Sequence, residues 1–162
     1  MINRRMENEP SAKKVFAAAC RFLARRPHSR MELKRKLSRK GFHSGLIENT
    51  IDRLCLQGFL SDEKVSLQWA QSLVQRRGWG KAKITSYLVQ KGINRDIIEG
   101  VQEKIWQEFS EEETARKALK KRFSPCGGAP PQGKAVTFLK SRGFSSDVIY
   151  EVANSLESDD IK

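Results

Sequence analysis

Read for hydrophobic periodicity, the chain is a succession of short amphipathic helices separated by polar turns. Phe16, Ala19, Cys20 and Leu23 follow the i, i+3, i+4, i+7 spacing of one buried face, which predicts a first helix over 12–26 that Pro27 stops. Ser29-Arg30-Met31-Glu32 has the form of a capping box, whose serine and glutamate satisfy free amides at a helix start. It opens a second helix with Leu33 and Leu37 facing inward, and a third helix over 44–56 turns Leu46, Ile47, Thr50, Ile51 and Leu54 to the core. The pattern then returns. Ser61-Asp62-Glu63 caps a helix carrying Val65, Trp69, Leu73 and Val74, and the turn Arg76-Arg77-Gly78-Trp79-Gly80 follows. Ile84 and Leu88 take the places of Leu33 and Leu37, while Ile97, Ile98, Val101 and Ile105 take those of Leu46, Ile47, Thr50 and Leu54. A third round starts near Glu111 with Ala115, Ala118, Leu119 and Phe123. The Gly/Pro loop from Ser124 to Pro131 interrupts it, and Ala135, Phe138 and Leu139, then Val148, Ile149, Val152 and Leu156, complete it. No stretch alternates as a strand would.

Three glycines, Gly41, Gly92 and Gly143, recur at a constant period of 51 residues, each within Leu-x-x-(Lys/Arg)-Gly-(Phe/Ile). Helices often end on a glycine in the left-handed conformation, with a hydrophobic contact between residues on either side of the stop. The pairs Leu37/Phe42, Leu88/Ile93 and Leu139/Phe144 fit that cap. The expected fold is therefore all-α: an elongated, curved array of three tandem three-helix modules over 12–60, 61–110 and 111–162, preceded by a flexible arm over 1–11. Repeat arrays of this kind usually bind rather than catalyse.

Charge breaks the symmetry of the repeat. The net charge is +12, and residues 1–60 hold 14 Lys/Arg against 5 Asp/Glu, so most of it lies in the first module. Such a bias favours a polyanionic or acidic partner. On the second helix, Arg30/Lys34, Arg35/Arg39 and Lys36/Lys40 are like-charge i, i+4 pairs, which destabilise an isolated helix by a few tenths of a kcal/mol each. A sequence that keeps them points to a partner. The candidate binding residues are Arg25, Arg26, Arg30, Lys34, Arg35, Lys36, Arg39 and Lys40, with Arg76 and Arg77 from the second module. The four arginines that end the first helices, Arg25, Arg26, Arg76 and Arg77, equally suit the negative end of the helix dipole. The third helix of each module is neutral or acidic, which argues against sequence-specific reading of DNA and leaves non-specific phosphate contact open.

Catalytic chemistry has little footing. Three cysteines without CxxC spacing make neither a disulfide framework nor a zinc site, and Cys20 and Cys55 are read as small buried hydrophobes. His28 and His43 sit at helix boundaries in structural roles, and Glu111-Glu112-Glu113 complements a helix dipole. Gly78-Trp79-Gly80-Lys81 lacks the phosphate-loop pattern. The expectation is a cytoplasmic, non-enzymatic protein with no cofactor and no membrane segment.

At this point the residues resemble a known family. His28-Ser29-Arg30-Met31-Glu32-Leu33-Lys34-Arg35-Lys36-Leu37-Ser38-Arg39-Lys40-Gly41 resembles the opening motif of the RecX family of bacterial regulatory proteins. Ser61-Asp62-Glu63-Lys64, then Gly78-Trp79-Gly80 with Ile84, Leu88 and Lys91-Gly92-Ile93, resemble its second module, and Phe138-Leu139-Lys140-Ser141-Arg142-Gly143-Phe144 its close. The chain departs from the family pattern at Lys81, where proline is usual, at Tyr87, where an acid is common, and at Val65, where an aromatic is common. The resemblance implies a monomeric protein that binds the RecA filament on single-stranded DNA, lies in its groove and opposes its growth. It also implies damping of the filament's ATPase, strand-exchange and co-protease activities, and so a modulator of recombination, DNA repair and the SOS response. The residues alone leave a second reading open: a stand-alone, non-sequence-specific nucleic-acid-binding helical repeat.

Overall fold

Helices of ten to seventeen residues are marginal alone, so each one here persists by burying one stripe against its neighbours. The computed structural model describes residues 9–123 and 130–159. Among them the chain forms nine α-helices and no strand: α1 (Glu9–Arg25), α2 (Arg30–Arg39), α3 (Ser44–Leu56), α4 (Asp62–Ser72), α5 (Lys81–Gln90), α6 (Arg95–Glu108), α7 (Glu111–Phe123), α8 (Gln132–Arg142) and α9 (Ser146–Asp159). The first helix begins inside the segment expected to be an arm, whose residues 1–8 lie outside the described residues, as do Cys126 and most of the Gly/Pro loop. The chain divides into two compact units, residues 1–66 with 91–93, and residues 67–90 with 94–162.

In the first unit, α1, α2 and α3 bury Val15, Ala18, Ala19, Leu33, Leu37, Ile47, Ile51, Leu54 and Leu60 together. The buried stripe of α1 is rotated one residue from the expected one. Val15, Ala18 and Ala19 face the core, Phe16, Phe22 and Leu23 flank it, and Cys20 is exposed. Nearly every position from Val15 to Ala24 is apolar, so periodicity leaves the direction of this face loosely defined. Cys55 is half-buried, and burial pushes its thiol pKa up.

Ser29 caps α2 as expected, accepting from the Glu32 amide at 3.1 Å, and it is fully buried because its hydroxyl also donates to the Lys91 carbonyl. The reciprocal half of the capping box is replaced. The Glu32 carboxylate takes Arg26 at 3.1 Å and Lys91 at 2.5 Å. Burial alone would raise the Glu32 pKa, but the hydrogen bonds and charges of Arg26 and Lys91 outweigh it and hold the carboxyl below its usual range. Asp62 accepts from the Arg30 amide at 2.8 Å, yet desolvation leaves its pKa raised.

The three repeat glycines all have φ near +80° (80°, 75° and 77°). At Gly41 and Gly143 the following phenylalanine amide reaches back to Leu37 and Leu139, at 3.4 and 3.3 Å, which is the Schellman pattern.

In the second unit α4 does not simply stop at the Arg76-Arg77 turn. It widens into a π-helical turn over Leu73–Arg77, closed by Gly78 at φ 58°. Beyond it the chain meets the repeat glycine of the third round. Gly80 donates its amide to Arg142 at 2.9 Å, and Ala82 donates to Gly143 at 3.0 Å. A Cβ on Gly80 would lie 2.5 Å from the Gly143 carbonyl, and a Cβ on Gly143 would lie 2.4 Å from the Lys83 amide. Bare backbone therefore packs on bare backbone here, which accounts for the second glycine of Gly78-Trp79-Gly80. Glu111 is buried at this joint. Its carboxylate accepts from the amide and hydroxyl of Ser145, both at 3.1 Å, with Lys81 Nζ at 3.5 Å. It is thus a structural acceptor as well as a charge at a helix start.

Candidate functional site

The like-charge pairs on α2 are resolved by its neighbours into three rows. Arg30 pairs with Asp52 at 3.2 Å and Lys34 with Glu48, so the acids of α3 neutralise the first row. Lys36 and Lys40 lie over the Phe22 ring of α1, 4.9 and 5.7 Å from its centroid. The third row is Arg35 and Arg39. Both are exposed and form no ion pair among the described residues; Arg35 makes only a weak contact with Met31 Sδ. Exposed ion pairs contribute about 0–1 kcal/mol, so the acids of α3 matter less for stability than for deciding which cations stay available.

The remaining sequence candidates divide the same way. Arg25 is exposed at the end of α1, whereas Arg26 is committed to Glu32 and to the Pro27 carbonyl. His28 is 2 % exposed, with Nδ1 2.7 Å from the Arg26 carbonyl. A carbonyl only accepts, so the proton sits on Nδ1 and Nε2 is left buried without a partner. Desolvation by burial lowers the His28 pKa, and the charges of Arg26 and Lys36 add to the effect. His43 accepts from the Gly45 amide at the start of α3. Both histidines are structural.

Arg76 and Arg77 belong to a separate surface in the second unit. They line a pocket of about 570 Å³ between the π-turn, α7 and α8, with Lys117, Lys121, Arg122 and Arg142. Those last four were not legible as a group. The only signals for them were the i, i+4 spacing of Lys117 and Lys121 and the position of Arg142 before a repeat glycine. Arg77 sits 5.7 Å from the Trp79 ring, and Lys83 lies 5.0 Å above the same ring. Tyr87 stands edge-on to Trp79 and Trp69. Among the described residues no three His, Cys, Asp or Glu side chains are placed to hold a metal ion, and no helix is long and apolar enough to cross a membrane.

Three-helix repeats with glycine-stopped second helices and a cationic first module define a class of helical-repeat proteins, and comparison with known proteins specifies it. The family model for the first three-helix domain of RecX matches residues 16–54, and that for the second matches 61–101. Regulatory protein RecX of Pseudomonas putida is 34% identical over 152 residues, covering 90% of this chain and 93% of its own. Regulatory protein RecX of Halorhodospira halophila is 31% identical over 150 residues, covering 90% of each chain. The crystal structure of RecX from Lactobacillus salivarius superposes with a TM-score of 0.76 at 23% identity, over 90% of this chain and 96% of that one. The chain belongs to the RecX family.

Proposed function

We propose that this chain binds the RecA filament on single-stranded DNA and restrains its growth, ATPase, strand-exchange and co-protease activities. It would act in the cytoplasm as a monomer, with no cofactor and no catalytic step of its own. Membership of the RecX family across 90% of the chain carries this reading. The modules run over 12–60, 61–110 and 111–162, and the first supplies the main electrostatic contact. Within it, Arg35 and Arg39 are the principal contacts, helped by Arg25 and by the rim cations Lys36 and Lys40. Arg26, Arg30 and Lys34 are already paired and contribute less.

Co-sedimentation with preformed RecA filaments tests the assignment. Arg35→Glu with Arg39→Glu should weaken binding strongly while far-UV circular dichroism stays unchanged. Unchanged binding would remove α2 from the interface. The free cationic row also supports a second reading, direct binding to single-stranded DNA. In that case affinity for an oligonucleotide without RecA falls steeply as salt rises, because neutralising each phosphate releases counterions. An affinity indifferent to salt would discard it.

A further inference from the structure

The pocket of the second unit has a composition that the filament-binding reading leaves unused. Six cations line it: Arg76, Arg77, Lys117, Lys121, Arg122 and Arg142, and its lining contains no carboxylate. Among the described residues only Lys117 of these six forms an ion pair, with Glu113 at 3.5 Å, and that pair is mostly exposed. Arg76 and Lys121 form no ion pair among the described residues. Arg142 is held in place, since it donates to the Arg77 carbonyl and stacks 4.9 Å from the Phe138 centroid. The lining also includes the apolar side chains of Val74, Phe109, Ala118 and Phe138 and the polar ones of Gln75 and Thr114. The volume, about 570 Å³, falls in the range of small-molecule sites, roughly 300–1,000 Å³.

We propose that this pocket binds a nucleoside polyphosphate, its phosphates among the cations and its base against the phenylalanines. Two features select this chemistry. Six cationic residues lining one concavity repel one another until a multivalent anion enters, and guanidinium groups match phosphate oxygens in paired geometry. The apolar side chains add a hydrophobic seat that inorganic phosphate has no use for and a purine ring can occupy. A continuous strand is the less apt occupant, because a concavity of this volume with phenylalanines among its cations holds one base rather than tracking a backbone.

The test is calorimetric titration of the full chain with ATP, with GTP and with tripolyphosphate at fixed low salt. One saturable site is expected, with a dissociation constant at or below about 1 mM. ATP or GTP should bind more tightly than tripolyphosphate. Arg76→Ala with Lys121→Ala should weaken binding about tenfold or more, as loss of charged hydrogen bonds to phosphate does. Both residues are exposed, and circular dichroism checks that the pair of changes leaves the fold intact. Arg35→Ala with Arg39→Ala, in the other unit, should leave nucleotide binding unchanged. Absence of a saturable site overturns the proposal, as does an unchanged affinity in the pocket variant. Equal affinity for tripolyphosphate and ATP removes the base seat and also overturns it. A single-stranded oligonucleotide that binds through Arg76 and Lys121 more tightly than ATP would assign the pocket to a strand instead.

Discussion

Replacing Gly41, Gly92 and Gly143 by alanine in turn should cost three different amounts, although all three have nearly the same backbone conformation. The left-handed conformation alone costs an alanine about 1–2 kcal/mol. At Gly41 that is the whole cost, because a new Cβ meets nothing within 4 Å. At Gly92 the Cβ would meet the Met31 side chain, with Cε 2.2 Å away. The thioether end can swing aside, but Met31 Cβ, 2.6 Å away, yields only with a small shift of the α2 backbone, so the total should be about 2–3 kcal/mol. At Gly143 the obstacle is the Lys83 backbone, with its amide at 2.4 Å, and backbone cannot rotate away. Separating the two segments lengthens the bonds from Gly80 to Arg142 and from Ala82 to Gly143. Each contributes about 1 kcal/mol net, which brings the total to about 3–4 kcal/mol. Urea denaturation followed by circular dichroism measures all three variants. Trp69, Trp79 and Trp106 all lie in the second unit, so tryptophan fluorescence follows the Gly143 variant directly. Its midpoint should fall by about 2 M at an m-value of roughly 1–2 kcal/mol/M. Equal costs at the three positions, within about 0.5 kcal/mol, would refute the close backbone approach.

Four further outcomes follow from the same structure. Glu111→Ala strands the Ser145 amide and hydroxyl, and should destabilise the second unit by about 2–3 kcal/mol in the fluorescence-detected transition. His28 has a folded pKa below its ordinary value of 6.5, so its contribution is complete above that value and is lost as pH falls through the folded pKa. Melting temperature should drop as pH falls from 7 towards 5, and His28→Asn should flatten that part of the profile; an unchanged profile would remove His28 as its source. The depressed carboxyl of Glu32 contributes above its ordinary 4.5 and is lost at lower pH, so Glu32→Gln should flatten the more acidic part of the same curve. Arg39→Gln should weaken filament binding more than Lys34→Gln, although each removes one charge, because Lys34 is already paired with Glu48; a titration giving equal losses would contradict the division of α2 into rows.

What the sequence revealed and what it hid divide along one physical line. Glycine stops, the Ser29 cap and the stripes of α2 and α3 depend on neighbours within a few residues, so spacing alone reports them. The face of α1 is harder to read, because an almost wholly apolar run gives periodicity little contrast, and Cys20, expected in the core, is exposed. The rest is non-local. The role of Glu32 depends on Lys91, 59 residues away. The two glycines Gly80 and Gly143 require each other only because the fold brings their backbones together. The pocket draws on the π-turn, α7 and α8, so its cations are scattered over more than sixty positions. Likewise, α2 reads as one basic helix until Asp52 and Glu48 of α3 show which cations remain free.

The most direct test of the central claim is steady-state ATP hydrolysis by RecA on single-stranded DNA as this protein is added. Hydrolysis should fall at protein levels at or below one per RecA subunit, and Arg35→Glu with Arg39→Glu should relieve that inhibition. A hydrolysis rate that stays unchanged at stoichiometric protein would contradict the account.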